Sequence, residues 1–355
     1  MKQRWTDKLK SDPKWQWGLI GGLVAVVAIM FFVCLFAGVA KLSVAECFRA
    51  LAGKSTPAYI RIMQIIRLPR VLAAVLAGAG LAVAGLIMQT TLNNGMASPG
   101  TLGVSNAAVF GANLSLIAFA GGFLTVGHNL ADVTKVANPY AVSAVAFVFA
   151  VGSVLLTLGL SRLRNFSSNT IVLAGIAIGA VWTAGTTLLQ FFATDVGISA
   201  AVVWSFGDLG RATMKQVYIL LAVVGAGAIA FWILSWRYNA MLAGDPVAKS
   251  LGVNVTLLRI ASLLIASLIT AACVSFLGVI GFVGIICPHV VKKIWGSNHV
   301  VAIPATVLTG SLLLLVADTI SRTVGSGTAL PVGAITSLLG APFFLAMLLT
   351  AKERR

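Results

Sequence analysis

The amino-acid sequence predicts an all-α, polytopic membrane protein with about ten transmembrane helices. Three observations carry that prediction. Of the 355 residues, 59% are hydrophobic and only 10% are charged, and the mean hydropathy is +1.00. A soluble domain is typically about 25% charged, and so few charges could not cover its surface. Long apolar runs rich in Leu, Ala, Val and Gly recur along the chain, and helices are the fold for such runs because lipid offers no partner to free backbone groups. One span with a short connection takes roughly 30–35 residues, so about ten spans fill the chain and leave no room for a soluble catalytic or nucleotide-binding domain. Disorder, a disulfide scaffold and a nucleic-acid-binding fold are excluded on the same grounds. The net charge of +16 then serves to orient spans and to meet anionic lipid.

The elements follow in order. Residues 1–16 are basic and polar and read as a cytoplasmic tail. The apolar run after them lacks a signal-peptidase-like site and reads as a retained first span. Spans are expected at about 17–40, 68–92, 98–120, 139–161, 168–193, 214–236, 259–278, 280–295, 301–322 and 332–350. Gly and Pro interrupt the third, eighth and tenth. With the N-terminus inside, 15 of the 25 basic residues fall on the cytoplasmic side, and both termini lie there. One exterior segment breaks the rule. Lys41, Arg49, Lys54, Arg61, Arg67 and Arg70 stand there against the single acid Glu46. They read either as snorkelling headgroup contacts or as a landing surface for an acidic partner. Arg70 opens an inward span and Arg259 an outward one, which would suit two inverted four-span repeats. The longest polar inner segment is 237–258. In it Asp245-Pro246 should start a short helix that Gly252 ends after about a turn and a half, with a second short helix following.

Few residues suggest chemistry. Gly53-Lys54-Ser55-Thr56 imitates the end of a phosphate-binding loop, but Phe48 stands where its first Gly should be and no strand precedes it. Any ATP hydrolysis must therefore belong to a separate subunit. Asp318 and Arg322 are four apart, on one helix face near the outer end of the ninth span, and read as an ion pair. Cys34, Cys47, Cys273 and Cys287 show no CxxC spacing and read as packing residues. His128, His289 and His299 form no ligand-like cluster, and a local hydrogen bond suits His289 beside Pro288. No catalytic constellation, metal site or cofactor site is expected. No chain of buried carboxylates crosses the membrane, which argues against a proton-driven secondary carrier, the main alternative class.

At these residues the sequence resembles the FecCD family of binding-protein-dependent ABC importer permeases, the type II group for iron–siderophore, haem and cobalamin. The resemblance runs from about residue 41 to 350. It rests on Arg67-Leu-Pro-Arg70, Gly85-Leu-Ile-Met-Gln89, Ser98 to Ser105, Leu173-Ala-Gly175, Gly244-Asp245 to Leu251-Gly-Val253, Gly281-Phe-Val-Gly284 with Pro288-His289, Ala317 to Arg322, and Leu330 to Thr336 with Gly340 to Phe344. It implies one permease domain over 1–355, in a cell inner membrane. The implied partners are a second permease subunit (a second copy preferred to a paralogue), two cytoplasmic ATPases and an extracytoplasmic binding protein. Arg67, Arg70 and Arg322 would face that binding protein. Gly244, Asp245, Lys249, Leu251 and Gly252 would couple to the ATPase. Asn94 and Met96, with Ser168 and Asn169, would form the cytoplasmic gate. Asn94-Gly95-Met96 departs from the family's Asn-Pro-Leu, and Pro246 stands where an acid is common. An iron–siderophore or other iron chelate is the implied cargo, with haem or cobalamin as alternatives.

Overall fold

In the computed structural model of the protein, residues 12–38, 40, 42–119, 138–324 and 329–352 are described. Lys41, His128 and most of the tail 1–16 lie outside them. Every expected span coincides with a helix. The first is α1 (Pro13–Phe36), capped by the Asp12 carboxylate, which accepts from the Lys14 amide. A short amphipathic helix α2 (Val44–Leu51) and one turn, α3 (Pro57–Ile60), follow. A π-helical stretch, Arg61–Arg67, leads without a break into α4 (Leu68–Thr91). Next come α5 (Val104–Asn113), α6 (Pro139–Ser161), α7 (Ser168–Phe191) and α8 (Asp195–Ser205). The chain continues through α9 (Met214–Ile233), α10 (Ser235–Met241), α11 (Asp245–Ser250) and α12 (Val255–Leu277). It closes with α13 (Val283–Trp295), α14 (His299–Val324) and α15 (Val332–Lys352).

Among the described residues seven helices are long and apolar enough to cross a membrane. The third, eighth and tenth expected spans are not among those seven. The 13 residues of α13 rise only about 20 Å at 1.5 Å each, against a hydrocarbon core of about 30 Å. The interrupting Gly and Pro residues explain the shortening. Four helices, α2, α3, α8 and α10, lie between spans and were not expected. The segment 237–258 also differs from expectation in one respect. Asp245-Pro246 starts α11 and Gly252 (φ +80°) ends it, but no separate second short helix follows. Asn254 caps α12 directly by accepting from the Leu257 amide, so the residues after Gly252 become the first turn of a span.

The core is organised around α4. Of its most apolar stretch 83% is buried, against 17% for α1, which lies at the periphery. Helices α14, α12, α13 and α9 all pack on α4. Small residues make this approach close. A Cβ added to Gly78 would collide with the Gly310 carbonyl of α14, and one added to Gly85 with the Gly284 backbone of α13.

Candidate functional site

The two ends of α4 carry two buried arginine clusters. At its first turn, Arg70 Nε donates to Asp318 Oδ1 at 2.7 Å. Arg322, one turn after Asp318 on α14, reaches Asp318 Oδ2 at 2.9 Å. The expected Asp318–Arg322 ion pair is therefore present, with a second arginine added. Asp318 is fully buried, and the Cys34 thiol lies 3.3 Å from its carboxylate. Asp208 approaches Arg70 from the loop before α9 at 3.9 Å.

Arg322, with Arg67, also finishes α1. A helix leaves its last carbonyls without intrahelical partners, and in a lipid-facing bundle water cannot serve all of them. Arg322 donates to the carbonyls of Cys34 at 2.7 Å and Ala37 at 2.8 Å. Arg67 donates to those of Leu35 at 3.3 Å, Phe36 at 2.9 Å and Ala40 at 2.6 Å. Arg211 does likewise for α8, bonding the carbonyls of Val203 and Trp204. Burial lowers the Arg211 pKa, and Asp208 opposes that shift.

Arg67, Arg70 and Arg322 thus share one end of the bundle, but all three guanidiniums point inward onto partners within the chain. Among the described residues, Arg49, Lys54, Arg61 and Lys215 are basic residues exposed at that end. Gln64 bonds the carbonyls of Ala50 and Leu51 and so fixes α2 above the cluster. The Gly53–Thr56 segment is part of the loop after α2, where Ser55 donates to Glu46.

The other end of α4 meets Arg259, the fifth residue of α12. Its Nε donates to the carbonyl of Thr91 at 2.7 Å. Its Nη1 donates to the carbonyl of Phe166 at 3.3 Å, and its Nη2 to both carboxylate oxygens of Asp245 at 3.0 and 2.8 Å. Asn94 and Met96 follow Thr91 by a few residues, with the Met96 amide donating to Asn94 Oδ1 at 2.9 Å. Ser168 and Asn169 open α7 just after Phe166. Met96 and Asn169 are exposed, whereas Asn94 and Ser168 are half-buried. Around α11, Gly244 takes φ +100°, Lys249 and Gly252 are exposed, and Leu242, Val247 and Leu251 present apolar side chains outward.

A second polar group braces this end. The His299 ring bonds Thr90 Oγ1 at 2.8 Å and Asn239 Oδ1 at 3.0 Å. Tyr238 pairs with Ser262 at 2.7 Å. Burial pushes the Tyr238 phenol up to about 12. Lys292 donates to Gln89 at 2.9 Å, and the His289 ring bonds the Ile285 carbonyl at 2.8 Å, the local bond expected for it. The four cysteines are buried and free.

Sequence reasoning missed three partners: Arg259 as a hub, Asp208 beside Arg70, and Arg70 on Asp318. A usable signal was there. The chain has 9 acids, and an ionisable group at the edge of an apolar run needs a partner, so each Arg at a span end had few acids to choose among.

The fold is a multi-span helical bundle with a closely packed central helix and a buried basic cluster at either end. The chain belongs to the FecCD transport family, whose sequence model matches residues 26–350. It is 33% identical to the hemin transport system permease protein of Yersinia pestis, over 95% of this chain and 97% of that one. It is 31% identical to the vitamin B12 import system permease protein of Shigella boydii, over 95% and 96%. A Methanocaldococcus jannaschii protein, provisionally named an ABC transporter permease, shares 42% identity over 98% of both chains. The fold matches a metal-chelate type ABC transporter solved in an inward-facing conformation, with a TM-score of 0.80 and 25% identity over 94% of this chain and 99% of that one.

Proposed function

We propose that the chain is the membrane-spanning subunit of a binding-protein-dependent ABC importer. It carries an iron–siderophore or other iron chelate into the cytoplasm, with haem or cobalamin as alternative cargoes. The observation that carries this reading is the similarity in fold to a metal-chelate type ABC transporter, with end-to-end sequence similarity to permeases named for hemin and vitamin B12, on a chain without a nucleotide-binding loop of its own. Two cytoplasmic ATPases supply the work, a second permease subunit completes the path, and both termini face the cytoplasm of an inner membrane. The second subunit is a second copy of this chain.

Three surfaces divide the task. The Arg70 end faces outward, and Arg49, Lys54 and Arg61 offer charge to carboxylates of the binding protein. Arg67, Arg70 and Arg322 support docking from beneath by fixing α1, α4 and α14. A direct pair with a partner carboxylate would require them to leave bonds already made within the chain. At the inner end Gly244, Asp245, Lys249, Leu251 and Gly252 receive the push of the ATPase, with the exposed Leu251 seated on it. Asn94, Met96, Ser168 and Asn169 gate the exit. Small polar and flexible apolar side chains can close such a path without holding the cargo.

Reconstitution tests this reading. Vesicles holding this chain with its ATPase and binding protein should accumulate ferric chelate on addition of ATP, and vesicles holding the chain alone should not. Uphill uptake by the chain alone would overturn the proposal.

A further inference from the structure

We propose that Arg259 is the positioning residue that transmits movement of α11 to both gate loops at once. The inference rests on the coupling and gate roles proposed above for Gly244–Gly252 and for Asn94, Met96, Ser168 and Asn169. One guanidinium joins three otherwise separate pieces of chain: Asp245 at the head of α11, the last carbonyl of α4, and the carbonyl of Phe166 just before α7. Its side chain is 6% exposed, so water does not compete for these bonds, whereas Asp245 is 44% exposed and free to be displaced from outside.

The geometry suits transmission. A guanidinium is a planar, rigid fork whose donors keep fixed relative directions. A shift of the Asp245 carboxylate must therefore turn the whole fork or break the pair. Turning the fork drags on Thr91 and Phe166 together.

A second observation is independent of the hydrogen bonds. Four described residues other than glycine have a left-handed backbone: Asn93, Asn165, Phe166 and Phe282. Three of the four lie in the two loops that Arg259 holds. Such residues persist where surrounding contacts over-determine them, and they collect at switch regions. Phe166 is held by its amide on the Ser161 carbonyl and by its own carbonyl on Arg259. Release of the second bond frees the loop to relax. Asn93 lies two residues beyond the Thr91 carbonyl that Arg259 also holds.

The experiment uses the permease assembled with its ATPases in nanodiscs, with spin labels at Met96→Cys and Asn169→Cys. In the otherwise wild-type complex, ATP with vanadate should change the distance between the two labels. Arg259→Lys keeps the charge but loses the fork. It should still co-purify with the ATPases, yet show no ATP-driven change in label distance and about tenfold slower transport per ATP hydrolysed. A purely structural role would lower yield and assembly without this split. Asp245→Ala serves as the second variant. It removes the link at α11 while the bonds to Thr91 and Phe166 remain, and it should blunt the distance change in the same way. A full-sized distance change in either variant overturns the proposal. Leu251→Asp separately tests the coupling reading beneath it. Undiminished ATPase association in that variant rejects α11 as the ATPase contact, whatever Arg259 does.

Discussion

Replacing Asp318 by Asn removes one charge and almost no volume. The carboxylate is fully buried and lies 2.7 Å from Arg70 and 2.9 Å from Arg322. At an effective dielectric of about 20, each contact at that range is worth about 5–6 kcal/mol of Coulomb attraction. Desolvation of the three ions, at several kcal/mol each, offsets much of this, so the intact cluster contributes little net stability. Breaking it is a different matter. The amide leaves two buried guanidiniums facing each other, and loss of one partner from a buried pair costs about 3–5 kcal/mol. Asp208, at 3.9 Å and partly exposed, recovers only a fraction through Arg70. That cost is a large share of a typical folding free energy of about 5–15 kcal/mol. The assay is thermal denaturation of the purified protein in nanodiscs for D318N, R322Q and the double variant. D318N should be strongly destabilised. The double variant should be more stable than the sum of the single effects, because it removes one of the stranded cations. Stability of D318N within about 0.5 kcal/mol of wild type, or strict additivity in the double variant, would refute the reasoning.

Two further outcomes are expected. Gly85→Val should destabilise the protein by about 1–3 kcal/mol or more, since backbone of α13 fills the space. Gly152→Ala, which meets nothing within 4 Å, should be neutral or stabilising by up to about 1 kcal/mol, and thermal denaturation of both checks the contrast. Reversal of Arg49, Lys54 and Arg61 to Glu should weaken association with the cognate binding protein while leaving the thermal stability near wild type. Salt should weaken the wild-type association more than that of the reversed variant, as read by titration on immobilised nanodiscs.

Apolar runs made the spans legible, because lipid imposes helices on them. Spacing made Asp318–Arg322 legible, because residues four apart share a helix face. The helix at Asp245-Pro246 was legible because both its start and its stop are local signals. What stayed hidden was long-range. Arg70 and Asp318 are 248 residues apart, and Arg259 and Thr91 are 168 apart. No periodicity connects such positions. The exterior arginines show the limit most clearly. A sequence reports that charge gathers at one membrane face, but not whether a guanidinium points to solvent or back to an unfinished helix end. Arg67 and Arg322 point back, onto the carbonyls of Cys34, Leu35, Phe36 and Ala37 at the end of α1. The helix α2 was missed for a related reason. Its amphipathic face is only eight residues long, and it lies in a segment whose charge drew attention first.

The two arginine clusters become one mechanical statement when α4 is taken as the reference. From Arg70 to Thr91 the helix rises about 32 Å at 1.5 Å per residue, roughly the thickness of the hydrocarbon core. Its first end is tied through Arg70 to α14, and α14 is tied through Arg322 to α1. Its last end is tied through Arg259 to α11 and to the loop before α7. Between the ends, glycine contacts leave no slack toward α13 or α14. A helix held in this way is suited to stay fixed while neighbours move. The ties differ in one respect that assigns direction. Asp318 at the Arg70 end is fully buried, whereas Asp245 at the Arg259 end is partly open to solvent. A carboxylate sealed among its partners can be dislodged only by unfolding the surroundings. One that water and a partner protein can reach can be pulled away at far smaller cost. The Arg259 end is therefore where force from outside the bundle can enter, and the Arg70 end is where it is resisted.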